Sequence, residues 1–400
     1  MAKPEQHQLA YITDNHMDNR EMLGMSDGRT GVKRLWCATA GRAMSEWMFG
    51  AATFVVVGCS ASGVVAPPAA APVPAPVPAP APRNASAVRE APLDWHLLDP
   101  ATDKYPGIGA ERAMRELLTG KGPRRTVVVA VIDGGVDTAH VDLRANLWTN
   151  AGEIASNSQD DEKNGYVDDA HGWDFIGGAA SRDVHYDTYE LARLVGSCRG
   201  TAAGTGTPAP DSLRCAGLST ELSARQASAQ ETLTHIQAAK AALAQAVAAL
   251  KLALGAKSVT VENVTALSPS AATVASARTL YLTLAARGIN DASIAEAETS
   301  LRTEVDYGLN AGFNPRPIVG DSYSDPSQRF YGNADVMGPD ALHGTHVAGI
   351  IGAIRGNGIG VDGIAPAVRI MSVRTVPDGD ERDKDVANAI RYAVDNGANV

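Results

Sequence analysis

Apolar residues run without a break from Val127 to Ile132, between Thr126 and the turn-like Asp133-Gly134-Gly135. A β-branched run that is apolar on both faces predicts a central parallel strand covered by helices on either side. Val368 to Val373 predicts the next buried strand. Around these runs the period becomes helical. Gly109 to Leu118 places Ala113, Met114, Leu117 and Leu118 on one face, and Asp383 to Asn396 does the same with Val386, Ala389, Ile390 and Ala393 before a stop at Gly397. Behind His343, Val347, Ile350, Ile351 and Ile354 recur at helical spacing, so His343 sits where a loop becomes a buried helix. Gly344, Ala348, Gly349 and Gly352 have almost no side chain and let that helix lie close to a neighbour.

A second region has only the helical period. Leu222, Leu233, Ile236, Ala239, Leu243, Val247, Leu250 and Leu254 predict one long amphipathic helix over residues 218–255. Ser268-Pro269 then starts a second helix through Leu284, stopped by Gly288, and Asp291 begins a third through Val305. Helices joined by short turns fold back on one another as a hairpin or small bundle. Packing is the plain role for such a bundle, and a lid or partner-docking arm over a cleft the sharper one.

Composition narrows the class. The chain has 400 residues, 44% hydrophobic and 20% charged, enough for a sizeable core, with 35 Lys and Arg against 45 Asp and Glu. The formal charge of -10 and the lack of a basic run argue against a nucleic-acid partner. None of Cys37, Cys59, Cys198 and Cys215 is at CxxC spacing. Lys33, Arg34 and Arg42 precede a short apolar run from Trp47 to Gly58, too short to span a bilayer but of the length of a secretory signal. Val56-Val57-Gly58-Cys59 ends it like a lipobox, which makes Cys59 a lipidation site and a membrane anchor, with Val56 in place of the usual Leu. Ala66 to Pro82 alternates Ala, Val and Pro and reads as an extended tether. In an exported chain Cys198 and Cys215, which bracket a Gly, Thr and Pro-rich segment, suggest one local disulfide, with two free thiols as the alternative.

Two stretches carry chemistry. Asp133 follows a buried strand, where a charge is costly without a partner and where open α/β sheets gather functional groups. Val131-Ile132-Asp133-Gly134-Gly135-Val136-Asp137, continuing through His140 to Leu143, and the downstream His343-Gly344-Thr345-His346-Val347-Ala348-Gly349 resemble the subtilisin-like serine proteases, in the order Asp before His. The resemblance covers nearly all of residues 93–400 outside the helical region. It implies a three-layer α/β/α parallel-sheet core, incomplete at its C-terminal end, with an α-helical insertion. Carried over by residue, Asp133 is the carboxylate that orients an imidazole and His343 the general base, with protein or peptide substrates. It also places Asp378 to Glu381 and Asp383 near the non-primed substrate side, where acidic groups suit basic side chains.

Asp160, Glu162, Asn164 and Asp168, with the Tyr166 carbonyl, follow the first part of an EF-hand-like loop around Gly165 and predict a Ca2+ site, although His171 stands where a bidentate Glu is needed. A solvated acidic turn is the alternative. The organisation is then leader 1–58, tether 59–92, protease core 93–184, helical insertion 185–320 and second core part 321–400. No Gly-Thr-Ser nucleophile segment and no oxyanion asparagine are found in these residues, and Ala398-Asn399-Val400 enters what should be another core strand. The expectation is an exported, lipid-anchored or secreted subtilisin-like endopeptidase whose serine is absent from these residues. The competing readings are an inactive fragment or pseudoprotease acting as a surface binding protein, and a metal hydrolase using His343 and His346, which lacks a third ligand and an HExxH base.

Overall fold

The computed structural model describes residues 91–400, so the leader, Cys59 and the Pro-rich tether lie outside the described residues. Among the described residues no helix is long and apolar enough to cross a membrane.

After α1 (Ala110–Leu117), β1 (Val127–Asp133) begins the core, followed by β2 (Gly172–Asp174) and a short hairpin of β3 (Gly177–Gly178) and β4 (Arg182–Asp183). The helical region contains α2 (Glu190–Arg199), α3 (Ser212–Leu254), α4 (Val261–Ala266), α5 (Ala272–Ala285) and α6 (Asp291–Thr303), closed by a π-helical turn at Glu304–Gly308. The chain returns through α7 (Leu342–Gly352), β5 (Val368–Arg374) and α8 (Asp383–Asp395). The central sheet has the order β1-β5-β2 and is parallel throughout, with Val127 opposite Val368 and Asp133 opposite Arg374.

Alternation along the two long strands builds the layers. Val127, Val129 and Val131 of β1, with Val368 and Ile370 of β5, pack under Val347, Ala348 and Ile351 of α7. Val128, Ala130 and Ile132, with Met371 and Val373, face Ala389, Tyr392 and Ala393 of α8 and the aromatic cluster of Tyr166, Trp173, Phe175 and Tyr331. A strand apolar on both faces between two helices is what its unbroken β-branched run requires. Gly172 lets β2 approach β5, since a Cβ there would lie 1.7 Å from the Ser372 carbonyl oxygen. At the outer edge of β1, Asn399 N–H donates to the Val128 carbonyl at 2.8 Å and Ala130 N–H to that of Val400 at 2.9 Å. The last residues thus run beside β1.

The helical region departs from the sequence expectation at its boundaries. α3 begins at Ser212, six residues before the expected start at 218, because Asp211 accepts a hydrogen bond from the Arg214 amide and caps it there. Its 43 residues extend about 65 Å. Ser268-Pro269 precedes α5 rather than starting it, and the extra turn of α4 buries Val264 against Leu250 and Ala277. α2 was not legible as a helix. Its Ala192 and Val195 pack with Leu222 and Ala229 of α3 and with Leu309 and Ala311. Cys198 and Cys215 form a disulfide that joins α2 to the start of α3.

Chain segments are locked together by buried guanidiniums. Arg316, 7% exposed, reaches Asp321 at 2.5 Å and Asp385 of α8 at 2.5 Å, and Tyr331 Oη donates to Asp385 at 2.7 Å. Substituting Arg316→Met leaves the buried Asp385 without its cation, while Asp321 keeps Lys384 at 2.7 Å, a loss of about 3–5 kcal/mol. Urea unfolding is expected to show it as a lowered midpoint, with part of the loss recovered in Arg316→Met/Asp385→Leu.

Candidate active site

Asp133 is the last residue of β1, and its backbone carbonyl accepts from the amides of Thr375 and Val376 at 2.9 and 3.2 Å. Its side chain is thereby aimed off the carboxyl end of the sheet, and one oxygen also accepts from Gly134 N–H at 2.7 Å. His343 is the second residue of α7, and just ahead of that turn the Asp340 side chain accepts from Leu342 N–H at 3.0 Å. His343 Nδ1 lies 2.9 and 2.8 Å from the two Asp133 carboxylate oxygens. A carboxylate offers only lone pairs, so Nδ1 carries the proton and Nε2 is left as a base. The ring is 77% exposed and Asp133 only 14%, so the carboxylate is sheltered while the far edge of the imidazole is open.

The residues around His343 explain why the pair forms. A Cβ on Gly344 would lie 2.1 Å from the Gly135 carbonyl oxygen and 3.2 Å from Asp133 Cβ, so only glycine lets α7 descend this far onto the β1 turn. Thr345 Oγ1 accepts from Asp137 N–H at 2.8 Å and ties the same turn to the helix. Beneath the turn, Arg374 is 2% exposed. It donates to the Gly134 carbonyl at 2.8 Å and pairs with Asp174 at 2.7 Å. Burial pushes the Asp174 carboxyl up, and the adjoining Arg374 opposes that shift. Sequence reasoning missed both Thr345 and Arg374. Thr345 lay inside the motif without a role, and a single Arg ending a strand has no local signal.

His346 lines a recess of about 690 Å³ beside α7 with Asp137, His140 and Asp142, and His343 is not among its lining residues. Among the described residues, one group of three His, Cys, Asp or Glu side chains is placed to share an ion, and it contains neither histidine. It comprises Glu153, Asp160 and Glu162, whose oxygens lie within 4.8 Å of one another.

Of the five residues of the acidic loop, the structure therefore brings together Asp160 and Glu162 and adds Glu153, which the forward-reading loop pattern did not reach. Asp168 is turned elsewhere, its carboxylate accepting from the amides of Asn157 and Ser158 at 2.9 and 3.0 Å. Asn164 orients the cluster, donating to Glu162 at 2.8 Å and accepting from Tyr166 N–H at 2.8 Å, while the Tyr166 ring is buried in the aromatic core. Asp160 accepts from the amides of Asn164 and Gly165 at 3.0 and 2.8 Å. Glu153 Oε2 and Glu162 Oε2 are buried with no hydrogen-bond partner. Burial, with neighbouring Asp161 and Glu162, pushes the Glu153 carboxyl up to about 7. An all-oxygen donor set with two orphaned carboxylate oxygens fits a hard divalent cation.

The sequence profile of the Subtilase family matches residues 124–400. The chain is 49% identical over 59 residues to a thermophilic serine proteinase of Bacillus sp. (strain AK1), covering 14% of this chain and 15% of that protein. It is 46% identical over 59 residues to thermitase of Thermoactinomyces vulgaris, covering 14% and 21%. Against the cell wall-associated protease of Bacillus subtilis (strain 168) it is 33% identical over 118 residues, covering 29% and 12%. The aligned segments thus span between 12% and 21% of these relatives. With its parallel three-layer core and the Asp133 to His343 hydrogen bond at the carboxyl edge of the sheet, the chain belongs to the subtilase family.

Proposed function

We propose that this chain carries the carboxylate and the base of a subtilisin-type serine endopeptidase. The observation that carries the reading is the hydrogen bond from His343 Nδ1 to the Asp133 carboxylate. In that arrangement Nε2 takes the proton of a serine hydroxyl as it attacks the peptide carbonyl, and returns it to the leaving amine. Asp133 fixes the tautomer and stabilises the imidazolium that forms. The serine belongs to a Gly-Thr-Ser segment that these 400 residues do not contain.

Export supports the same reading. A disulfide such as Cys198 to Cys215 persists in an oxidising compartment, and one relative is described as cell wall-associated. Lipidation at Cys59 would fix the enzyme to a membrane through the Pro-rich tether. Calcium is proposed at Glu153, Asp160 and Glu162, where a bound ion neutralises the two orphaned oxygens and stiffens the loop ahead of β2. It takes no part in the chemistry.

Three measurements test these readings. In a form of the protein that carries a nucleophile serine, Asp133→Ala or His343→Ala is expected to lower kcat on a protein substrate by about 10⁴-fold, with circular dichroism unchanged. A smaller loss than about tenfold in either variant argues against the dyad. Gly344→Ala should separate α7 from the β1 turn, removing the downfield imidazole proton resonance of His343 in the NMR spectrum. Calcium at about 100-fold over Kd is expected to stabilise the fold by about 2.7 kcal/mol, read as a higher Tm than in chelator. The gain should vanish in Glu162→Gln, and an unchanged Tm in the parent protein would remove the calcium site.

A further inference from the structure

The loop after β5, Thr375 to Arg382, leaves the sheet directly beside the dyad. Its first two amides bond to the Asp133 carbonyl, and a Cβ on Gly134 would lie 3.3 Å from the Val376 carbonyl oxygen. His343 is open to solvent, and ligands of open α/β sheets bind outside the carboxyl ends of the strands. A peptide that presents its scissile bond to His343 therefore has this loop as one wall.

Beyond the two amides bonded to Asp133 of the core, the wall is held by the helical region. Asp378 N–H donates to the His185 carbonyl at 2.8 Å and Asp187 N–H to the Asp378 carbonyl at 3.0 Å, a parallel bridge between the loop and the segment leading into α2. Gly379, at φ +142°, allows that approach, since a Cβ there would lie 2.3 Å from the Asp187 carbonyl oxygen. Arg382 reaches both Asp187 carboxylate oxygens at 2.7 and 2.9 Å, and Glu190 N–H donates to Asp380 at 2.7 Å.

Arg193 of α2 completes the hold. It is 2% exposed, and its guanidinium donates to the backbone carbonyls of Asp380 and Glu381 at 3.1 and 3.2 Å, to the Thr188 carbonyl and to Glu190 at 2.8 Å. A buried cation needs such partners, and these converge from α2 and from the loop. The opposite face of α2, Ala192 and Val195, is packed on α3, and the disulfide fastens α2 to the same helix. The insertion thus acts on the loop through Arg193, beside the Glu190 amide and the Asp187 contacts.

We propose that Arg193 is a positioning residue for substrate: it fixes the loop Thr375 to Arg382 as a wall of the peptide path, which makes the helical insertion part of the substrate-binding site. This inference rests on the peptidase reading, and its test separates the two. In the 400-residue chain, Arg193→Met is expected to speed amide exchange at Asp378 and Asp187 at least about tenfold while Val131 of β1 stays protected. In a form of the protein that carries a nucleophile serine, the same variant should raise KM for peptides about tenfold with kcat within about twofold, and Arg193→Lys should fall between. Asp380→Ala, which removes one half-buried contact, guards against misfolding and should shift KM in the same direction by less. Unchanged exchange at Asp378, or faster exchange with KM unchanged, overturns the proposal. If the serine-bearing form is inactive without any substitution, the peptidase reading is overturned instead, and the exchange result still supports or overturns the hold of Arg193 on the loop.

Discussion

The candidate active site depends on how closely two pieces of backbone approach. Asp133 and His343 are 210 residues apart, and their 2.8 Å contact exists because the first turn of α7 lies against the turn that follows β1. Neither side chain reaches further than a few ångströms, so the contact is set by main chain. Gly344 removes the Cβ that would collide with Gly135, and Thr345 fastens the turn through the Asp137 amide. The apolar packing of α7 on β1 and β5 supplies the force, and the absent side chain decides where it stops.

Buried arginines form the second level of organisation. Arg374 joins the β1 turn to β2, Arg316 joins the end of the insertion to α8, and Arg382 and Arg193 join the loop after β5 to the insertion. In each case a planar, permanently charged group satisfies acceptors on segments far apart in sequence. Breaking one such contact strands a charge out of water, so the arrangement is more specific than an apolar interface of the same size. A long helical insertion inside an α/β domain is tolerated because its base is tied in this way, while its far end packs on itself around Leu250 and Val264.

The acidic loop ahead of β2 has the opposite problem. Glu153, Asp160 and Glu162 bring carboxylates together with no arginine among them, and two of their oxygens have no protein donor. Asp169 next to them is fully buried, and burial pushes it up to about 6, although hydrogen bonds from Tyr392, Asn164 and Asn150 oppose the shift. Like charges held this close in a partly dry setting favour either a proton or a cation.

Periodicity alone determined the layers of this protein. The unbroken β-branched run of β1 demanded helices on both faces, the helical stripes of α3, α7 and α8 marked the elements, and the two motifs around Asp133 and His343 marked the pair that the fold brings into contact. These signals are local, because strand and helix periods and glycine-rich turns are written in consecutive residues. Tertiary structure decided what depends on distance. It replaced Asp168 by Glu153 in the acidic cluster, since a loop pattern reads along the chain while carboxylates meet across a fold. It revealed α2, whose short Ala192 and Val195 stripe has meaning only against α3. It also assigned Arg374 and Arg193, because a buried guanidinium is chosen by the carbonyls that converge on it and leaves no trace in the residues beside it.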